Sequence, residues 1–223
     1  MKRVPASRFV VFLLIAAAGL AWDLYTKHAV FADLGYPAGM PHLMQGAHEI
    51  FDHPPGNEGV SRMYLTGWMT FRLFTSFNQG ALWGVGQGYT WLFSTLSLGA
   101  IIGVLYWLFV HGAARSLWLT VSLALVMAGT LGNLYDRLGF HGYADQEGAT
   151  IRAVRDFLLF TFGEFHWPVF NFADSFLVTG AIMLVLQSFA PHAADERGET
   201  TAAAESEEAM VEEPAVEAGN GSA

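Results

Sequence analysis

The chain has 223 residues, of which 53% are hydrophobic and 14% charged, a composition too apolar for an ordinary soluble domain and typical of a small helical membrane protein. It contains no cysteine, which excludes disulfide bonds, thiol catalysis and a lipid anchor on a cysteine of its own. Its net charge is −9 and it has no basic patch, so nucleic acid is not an expected partner.

Residues 9–30 form the first long apolar segment, which is interrupted by Asp23 and Lys27. A segment of this length crosses a hydrocarbon core of about 30 Å as a helix. Asp23 and Lys27 are four residues apart, so they are predicted to pair on one helix face. The alternative is a cleavable signal peptide, because basic residues precede the segment and small residues occur within it. The apolar character continues past the possible cleavage site, which favours the helix.

Residues 33–88 are predicted to contain a small β-sheet outside the membrane. The run 69–77 is rich in Thr and Phe with partial alternation, which indicates a strand. It ends at Asn78, and the glycines that follow, Gly80 first, permit a tight turn. We expect this sheet to lie on the membrane surface.

Three further segments are long and apolar enough to cross the membrane. Residues 89–110 and 116–135 carry no charge, and 172–190 contain only Asp174, near the start. Four crossings place both termini on one side, and the basic residues near the N-terminus and at the short turn after residue 110 predict that this side is the cytoplasm. The outer segment 138–168 becomes apolar towards its end, which predicts a short helix or loop that dips into the membrane interface.

The C-terminal residues 192–223 differ in kind from the membrane domain, 1–191. Nine of the twenty acidic residues lie beyond residue 194, and this part contains no aromatic residue. Such a composition predicts a disordered tail. Its expected role is to solubilise the protein, with partner binding as the alternative.

With this topology the polar residues of the apolar segments gather at one membrane surface, the outer one. A charged or amide side chain there is costly to desolvate, so it usually faces protein or water and performs a function. We therefore predict a water-accessible site at the outer interface. Its candidate residues are Asp23, Lys27, Asn78, Asn133, Asp136, Arg137, Asp156, Asn171 and Asp174.

The chemistry that these residues favour is that of a carboxylate pair. The chain has neither the Gly-x-Ser-x-Gly motif of serine hydrolases nor the His-Glu-x-x-His motif of zinc proteases. Two adjacent carboxyl groups, Asp156 and Asp174, would share a proton, so that one activates water and the other polarises a carbonyl, without a metal or cofactor. Considered one at a time, these residues have structural explanations. Helix capping explains the position of Asp174, and a structural ion pair explains that of Asp136 next to Arg137.

Five blocks occur in an order that resembles signal peptidase II, the bacterial lipoprotein signal peptidase. The resemblance spans residues 23–175, and the order of the blocks is far more specific than any one of them. The blocks are Asp23-Leu24-Tyr25-Thr26-Lys27, Asn78-Gln79-Gly80-Ala81-Leu82-Trp83-Gly84, Gly129-Thr130-Leu131-Gly132-Asn133-Leu134-Tyr135-Asp136-Arg137, Val154-Arg155-Asp156-Phe157 and Phe170-Asn171-Phe172-Ala173-Asp174-Ser175.

The resemblance implies an α-helical membrane protein with four transmembrane helices, a small extracytoplasmic β-sheet (cradle) and a short outer interfacial helix that lies over the site. It implies an aspartic endopeptidase of the bacterial cytoplasmic (inner) membrane that cleaves prolipoproteins before a diacylglyceryl-modified cysteine. Asp156 and Asp174 would be the catalytic pair. The supporting or substrate-binding residues would be Asp23, Lys27, Asn78, Gly80, Asn133, Asp136, Arg137 and Asn171.

The resemblance further implies contact with membrane lipids and inhibition by globomycin, and we expect a monomer. Leu82 and Trp83 depart from the usual Ala and Phe of the turn, and segments 34–67 and 139–153 are longer than the family requires. Two other functions are compatible with the same carboxylates: a proton- or cation-coupled small transporter, and a membrane scaffold whose tail recruits a partner. Transporter sites usually lie near the bilayer midplane, whereas these polar residues lie at segment ends.

Overall fold

The computed structural model describes residues 5–35, 61–80, 86, 88–112, 114, 116–145 and 147–189. The chain divides into two units, Met1–Gln187 and Ser188–Ala223. Of the second unit the structure describes only residues 188 and 189, which are the last two residues of a helix. The predicted tail, 192–223, therefore lies outside the described residues. The elements are α1 (Ala6–Leu34), β1 (Ser61–Leu65), β2 (Met69–Asn78), α2 (Thr90–Phe109), α3 (Leu117–Arg137), β3 (Val154–Phe162), β4 (Phe165–His166) and α4 (Phe172–Phe189).

All four helices are long and apolar enough to cross a membrane, which confirms the four predicted spans. The largest difference is in α1, which extends beyond the predicted 9–30 at both ends. Its buried side chains include Lys27, Phe31 and Leu34. Because packing of one face stabilises a helix more than propensity does, these contacts prolong α1 past the apolar segment. At 1.5 Å per residue the helix is roughly 43 Å long.

Close approach between helices occurs at glycines of α3. A side-chain methyl on Gly129 would meet the backbone oxygen of Ala173 in α4, and one on Gly132 would meet the carboxylate of Asp23 in α1. By contrast, nothing lies within 4 Å of such a methyl on Gly99 of α2. The glycines of α3 therefore bring the first turn of α4 and the acidic residue of α1 against the same stretch of helix.

We expect Gly132→Ala to destabilise the protein by about 1–3 kcal/mol, because the added methyl overpacks a buried contact. Thermal unfolding of the purified protein in detergent measures this. Gly99→Ala is the matched control: it adds the same methyl to a helix where there is open space, and it should leave the unfolding temperature unchanged or raise it. Equal effects of the two substitutions would contradict the packing explanation.

The strands form one antiparallel sheet in the order β1-β2-β3-β4, which confirms a small sheet and the strand predicted at 69–77. Half of this sheet comes from the segment 138–168, for which a helix or covering loop was predicted. That expectation was wrong for 157–160, which lie in β3. Phe157, Leu158 and Leu159 are all buried, so the run is apolar because both faces of the strand are covered. No short interfacial helix occurs among the described residues.

The pairing of β2 with β3 shifts beside Asp156. Leu73 pairs with Leu158 and Ser76 pairs with Asp156, so two residues of β2 lie opposite the single residue Phe157. A bulge of this kind bends a strand and redirects its side chains, and bulges are common next to active sites. The sheet thus has a local irregularity where β3 presents its carboxylate to the helices.

Candidate active site

The first turn of α4 is closed by a reciprocal pair of hydrogen bonds. Asn171, just before the helix, accepts through Oδ1 from the backbone N–H of Asp174 (3.0 Å), and Asp174 accepts through Oδ2 from the backbone N–H of Asn171 (3.1 Å). This arrangement satisfies two otherwise unpaired helix donors. It also places a carboxylate at the positive end of the helix dipole. Asp174 is therefore a helix-capping residue and a candidate catalytic residue at once.

Asp156 reaches the site from the sheet. It is 1% exposed, and its neighbour Arg155 points to the other face of β3, since successive strand side chains alternate. The Oδ2 atom of Asp156 accepts from the Asn78 amide (3.0 Å), and Oδ1 accepts from the Asn171 amide (2.6 Å). The structure thus brings Asp156, Asn78 and Asn171 into contact.

Asn171 contacts both candidate catalytic carboxyl groups: its side-chain amide donates to Asp156 Oδ1, and its backbone N–H donates to Asp174 Oδ2. Burial raises the pKa of Asp156 well above its ordinary value of 3.8, and the charge of Asp174 raises it further. The hydrogen bond from Asn78 acts in the opposite direction, because it stabilises the ionised form. Asp156 is therefore suited to hold a proton beside an ionised neighbour.

A buried ammonium lies behind the pair. Lys27 is fully buried, with its Nζ atom 2.7 Å from Asp23 Oδ2 and 3.2 Å from Asp136 Oδ2. The predicted pairing of Asp23 with Lys27 is confirmed. Nζ also donates to Asn133 Oδ1 (3.1 Å), and the amide of Asn133 donates to Asp174 Oδ1 (2.8 Å). Asp23 in addition accepts from the backbone N–H of Ala173 (2.8 Å), which ties α1 to the start of α4.

Asp136 pairs differently from the prediction. Its Oδ1 atom accepts from Nε and Nη2 of Arg155 (3.0 and 2.8 Å), and its Oδ2 accepts from the Arg155 backbone N–H (3.0 Å) and contacts Lys27. The expected ion pair between Asp136 and Arg137 is absent from the described residues, so that expectation was wrong. Adjacent helical residues point in directions about 100° apart, and Asp136 faces the interior whereas Arg137 faces α2.

Arg137 and Gly80 lie together at the rim. Arg137 Nη2 donates to the backbone oxygen of Gly80 (3.2 Å), and the Gly80 N–H donates to Asn78 Oδ1 (2.9 Å). The guanidinium also lies 5.4 Å from the centre of the Phe93 ring, a cation–π distance. Gly80 therefore connects Arg137 to the amide that binds Asp156.

A groove of about 220 Å³ lies between α2, α3 and α4 beside these residues. Its α2 side is mostly apolar, and Leu177 contributes from α4. Its α3 side consists of Thr130, Asn133 and Arg137. The groove thus joins an apolar wall to two polar side chains of the site, an arrangement that suits a ligand with an apolar segment next to a polar group.

All ten predicted site residues, which include Gly80, thus fall into one connected set of contacts among the described residues. Arg155, the buried ion-pair partner of Asp136, was not predicted, although it stands inside one of the quoted blocks. A single arginine in an otherwise apolar strand requires a buried partner, and that signal pointed to a carboxylate such as Asp136. Among the described residues, no three His, Cys, Asp or Glu side chains are grouped so as to hold a metal ion.

Comparison with known proteins gives consistent matches. A family model described as signal peptidase (SPase) II matches residues 15–190. A lipoprotein signal peptidase from Rhodopirellula baltica is 39% identical over 189 residues, which cover 83% of this chain and 74% of that protein. One from Bacillus pumilus is 43% identical over 110 residues, which cover 49% of this chain and 63% of that protein.

Two solved bacterial membrane enzymes, both determined by the in meso method, have a similar fold, each with a TM-score of 0.56. One is 23% identical and the match covers 79% of this chain and 86% of that one. The other is 22% identical, with 81% and 94% covered. At this identity the likeness concerns the fold alone.

Proposed function

Because this chain belongs to the signal peptidase II family, we propose that it is an aspartic endopeptidase that removes the signal peptide of prolipoproteins before their diacylglyceryl-modified cysteine. The observation that carries the aspartic mechanism is the shared contact of Asp156 and Asp174 with Asn171. Two carboxyl groups so close together favour a state with one proton between them. That state supplies an acid and a base at once.

In the proposed reaction Asp174 is the base and Asp156 the acid. Ionised Asp174 takes a proton from a water molecule, and the water oxygen forms a bond to the scissile carbonyl carbon. Asp156 donates its proton to the carbonyl oxygen, which yields a gem-diol. The carbon–nitrogen bond then breaks, the leaving nitrogen receives a proton from Asp174, and Asp156 regains its own from the diol. No covalent adduct with the enzyme forms.

The surroundings of the pair support a substrate that comes from the membrane. The groove between α2, α3 and α4 has an apolar wall and meets Asn133 and Arg137, so an apolar signal peptide could lie along it with its scissile bond near Asp174. Arg137 lines this groove and donates from Nη2 to the Gly80 backbone oxygen; we propose its guanidinium as a donor for the peptide backbone or for a globomycin-type inhibitor. We propose an enzyme of the bacterial cytoplasmic membrane with cytoplasmic termini and its site at the outer face.

The alternative of an ion-coupled transporter has less support. Of the four carboxylates of the site, Asp136 lies at the end of α3, Asp156 in β3 and Asp174 at the start of α4. Asp23, within α1, contacts the same first turn of α4 through the Ala173 N–H. They therefore gather at one end of the helices, whereas coupled transport sites usually lie near the bilayer midplane.

Cleavage of a synthetic peptide by the purified protein in detergent tests the proposed function. We expect cleavage of a diacylglyceryl-modified lipoprotein signal sequence, no cleavage of the same peptide without the lipid, and loss of cleavage on addition of globomycin. Equal cleavage of both peptides would contradict the proposed substrate, and cleavage that requires an added metal ion would contradict the mechanism.

The alkaline limb of the pH–rate profile should report the proton held by Asp156. Its loss as the pH rises leaves both carboxyl groups ionised and the enzyme without its acid. Since the Asn78 amide stabilises the ionised form and so lowers the pKa of Asp156, Asn78→Ala should move the alkaline limb to higher pH. Rates measured on the lipidated peptide across the pH range test this. Arg62→Ala, at an exposed ion pair with Asp33, is the control and should leave the limb in place; a move to lower pH in Asn78→Ala would contradict the assignment.

A further inference from the structure

The asparagine amides around the two carboxyl groups can each present either of two faces. An amide has an acceptor oxygen and a donor nitrogen of similar size, so a half-turn exchanges them without a change in shape. Asn133 contacts Asp174, and Asn171 contacts Asp156. These amides stabilise the two carboxyl groups only when the amide nitrogen faces the carboxylate oxygens, because an amide oxygen in the same place repels an ionised carboxylate. Something must therefore select the orientation.

For Asn133 the selecting group is Lys27. An ammonium has three donors and no acceptor, so only the amide oxygen can face it. Nζ of Lys27 lies 3.1 Å from Asn133 Oδ1, and this contact directs the Asn133 nitrogen to Asp174 Oδ1 at 2.8 Å. The ammonium also forms ion pairs with Asp23 and Asp136, at 2.7 and 3.2 Å, which hold Lys27 in place beside the amide.

The contacts of Asn171 favour the same orientation of the Asn133 amide. Its Oδ1 accepts from the backbone N–H of Asp174 (3.0 Å), which directs its nitrogen to Asp156 Oδ1 (2.6 Å) and to Asn133 Oδ1 (3.2 Å). Asn133 Oδ1 therefore accepts from both Lys27 and Asn171. Reversal of Asn133 would place its nitrogen against two donors at once and its oxygen against a carboxylate.

The other buried cations do not take part in this selection. Arg155 is 3% exposed and donates to Asp136, and Arg137 donates to the oxygen of Gly80. Within the described part of the chain, neither arginine donates to the side-chain amide of Asn133 or Asn171. The charged groups around the two amides are Asp23 and Lys27 of α1, Asp136 and Arg137 of α3, Arg155 and Asp156 of β3 and Asp174 of α4. His141, which follows α3, is the titratable group that interacts with Lys27 and Asp136 from the loop.

We propose that Lys27 is a positioning residue for catalysis: it orients the Asn133 amide so that Asp174 receives a hydrogen-bond donor and remains the ionised base. This inference rests on the proposed function for its catalytic consequence. Without Lys27, Asn133 Oδ1 keeps only the longer contact from Asn171 (3.2 Å), so the amide is less firmly held with its nitrogen towards Asp174 and stabilises the ionised form of that group less. The acid limb of the pH–rate profile then moves to higher pH, because the base is lost earlier as the pH falls.

Three substitutions test this role. Lys27→Met removes the donor and keeps the apolar stem, Lys27→Arg keeps a donor-only cation, and Arg155→Met removes a similarly buried cation that contacts Asp136 but neither amide. Partners that orient reactive groups at metal centres typically contribute about 10- to 100-fold, so we expect a fall in kcat of that order in Lys27→Met, with KM nearly unchanged. Its acid limb should move to higher pH, whereas Lys27→Arg and Arg155→Met should keep the limb of the original protein.

A second readout does not depend on cleavage. Infrared difference titration records the carboxyl band of the pair, which is identified by its loss in Asp156→Asn and Asp174→Asn. In Lys27→Met this band should persist to higher pH than in the original protein. If Lys27→Met alone does not fold, the same measurement is made with Asp23→Asn added, which removes the unpaired charge that the first substitution leaves and keeps an acceptor for the Ala173 N–H.

The outcomes separate the two proposals. A carboxyl band and an acid limb that coincide with those of the original protein, even with a lowered unfolding temperature, would show that Lys27 is structural only and would overturn the inference. The same would follow if Arg155→Met moved the limb as far as Lys27→Met does. If the original protein does not cleave the lipidated peptide, the proposed function fails, while the infrared titration still decides whether Lys27 sets the protonation of the pair.

Discussion

Replacement of Asp156 by Asn is expected to lower the rate of prolipoprotein cleavage by roughly 10⁴-fold, the upper end of what a positioned acid or base contributes. The amide keeps the size of the side chain but cannot give a proton to the carbonyl oxygen. Asn at this position also brings a donor nitrogen towards Asn78 or Asn171, both of which present donors to Asp156. The substitution therefore removes the acid and disturbs the hydrogen bonds that align the pair.

This variant should remain folded, which makes the loss of activity interpretable. The folded-state pKa of Asp156 is raised above its ordinary value of 3.8, so the ionised form is favoured in the unfolded chain. A carboxyl group whose pKa is raised on folding destabilises the folded protein at high pH. The destabilisation begins as the pH rises above the pKa of the group in the unfolded chain, and it is complete above its pKa in the folded protein. At neutral pH the neutral Asn lacks this cost, which offsets the hydrogen bond that its nitrogen disturbs, so the unfolding temperature should stay close to that of the original protein.

The measurement is cleavage of the lipidated peptide together with thermal unfolding of the same preparation. Asp145→Asn is the matched control. Among the described residues, the Asp145 carboxylate accepts only from backbone N–H groups of its own turn (3.0 and 2.8 Å). An amide oxygen can replace it there, so activity should be retained. An Asp156→Asn protein that cleaves at a rate near that of the original chain would exclude Asp156 from catalysis and leave the pair without its acid.

The largest effect on stability is expected from Asp136→Ala, at about 3–5 kcal/mol, the usual cost of removing one partner of a buried ion pair. Asp136 is fully buried and contacts both Lys27 and Arg155, which are themselves buried. Its removal leaves Arg155 without its carboxylate and Lys27 with Asp23 alone. It also removes the acceptor of the Arg155 backbone N–H. Two cations and a strand donor thus lose a partner together.

Unfolding of the purified variant in detergent, compared with the original protein, measures this effect. Asp33→Ala is the control, since Asp33 forms an ion pair with Arg62 in which both side chains are about half exposed, and surface pairs contribute little. Replacing Asp136 and Arg155 together by apolar residues should recover part of the loss, because an apolar pair avoids the unpaired charge. Similar unfolding temperatures for Asp136→Ala and Asp33→Ala would contradict the assignment of Asp136 as the centre of the buried ion pairs.

The transmembrane helices were predictable because the signal for them is local. A run of about 20 apolar residues has to cross the hydrocarbon core as a helix whatever the rest of the chain does. The pairing of Asp23 with Lys27 was predictable for a similar reason, since four residues of helix place both on one face. By contrast, the apolar run 157–160 was assigned to a helix or loop, because a short apolar run is equally compatible with a strand that is buried on both faces.

What the sequence by itself determined was the set of membrane-spanning helices, the ordered blocks of acidic and amide residues, and the end of the helices at which they gather. Only the tertiary structure decided which of those groups bind one another. Asp136 pairs with Lys27 and Arg155 rather than with adjacent Arg137, and the contact between Lys27 and Asn133 joins residues 106 positions apart. Hydropathy and helix periodicity are properties of a few consecutive turns of the chain. The partners of these side chains depend instead on how three helices and a sheet pack against one another, and a local sequence pattern contains no information about that packing.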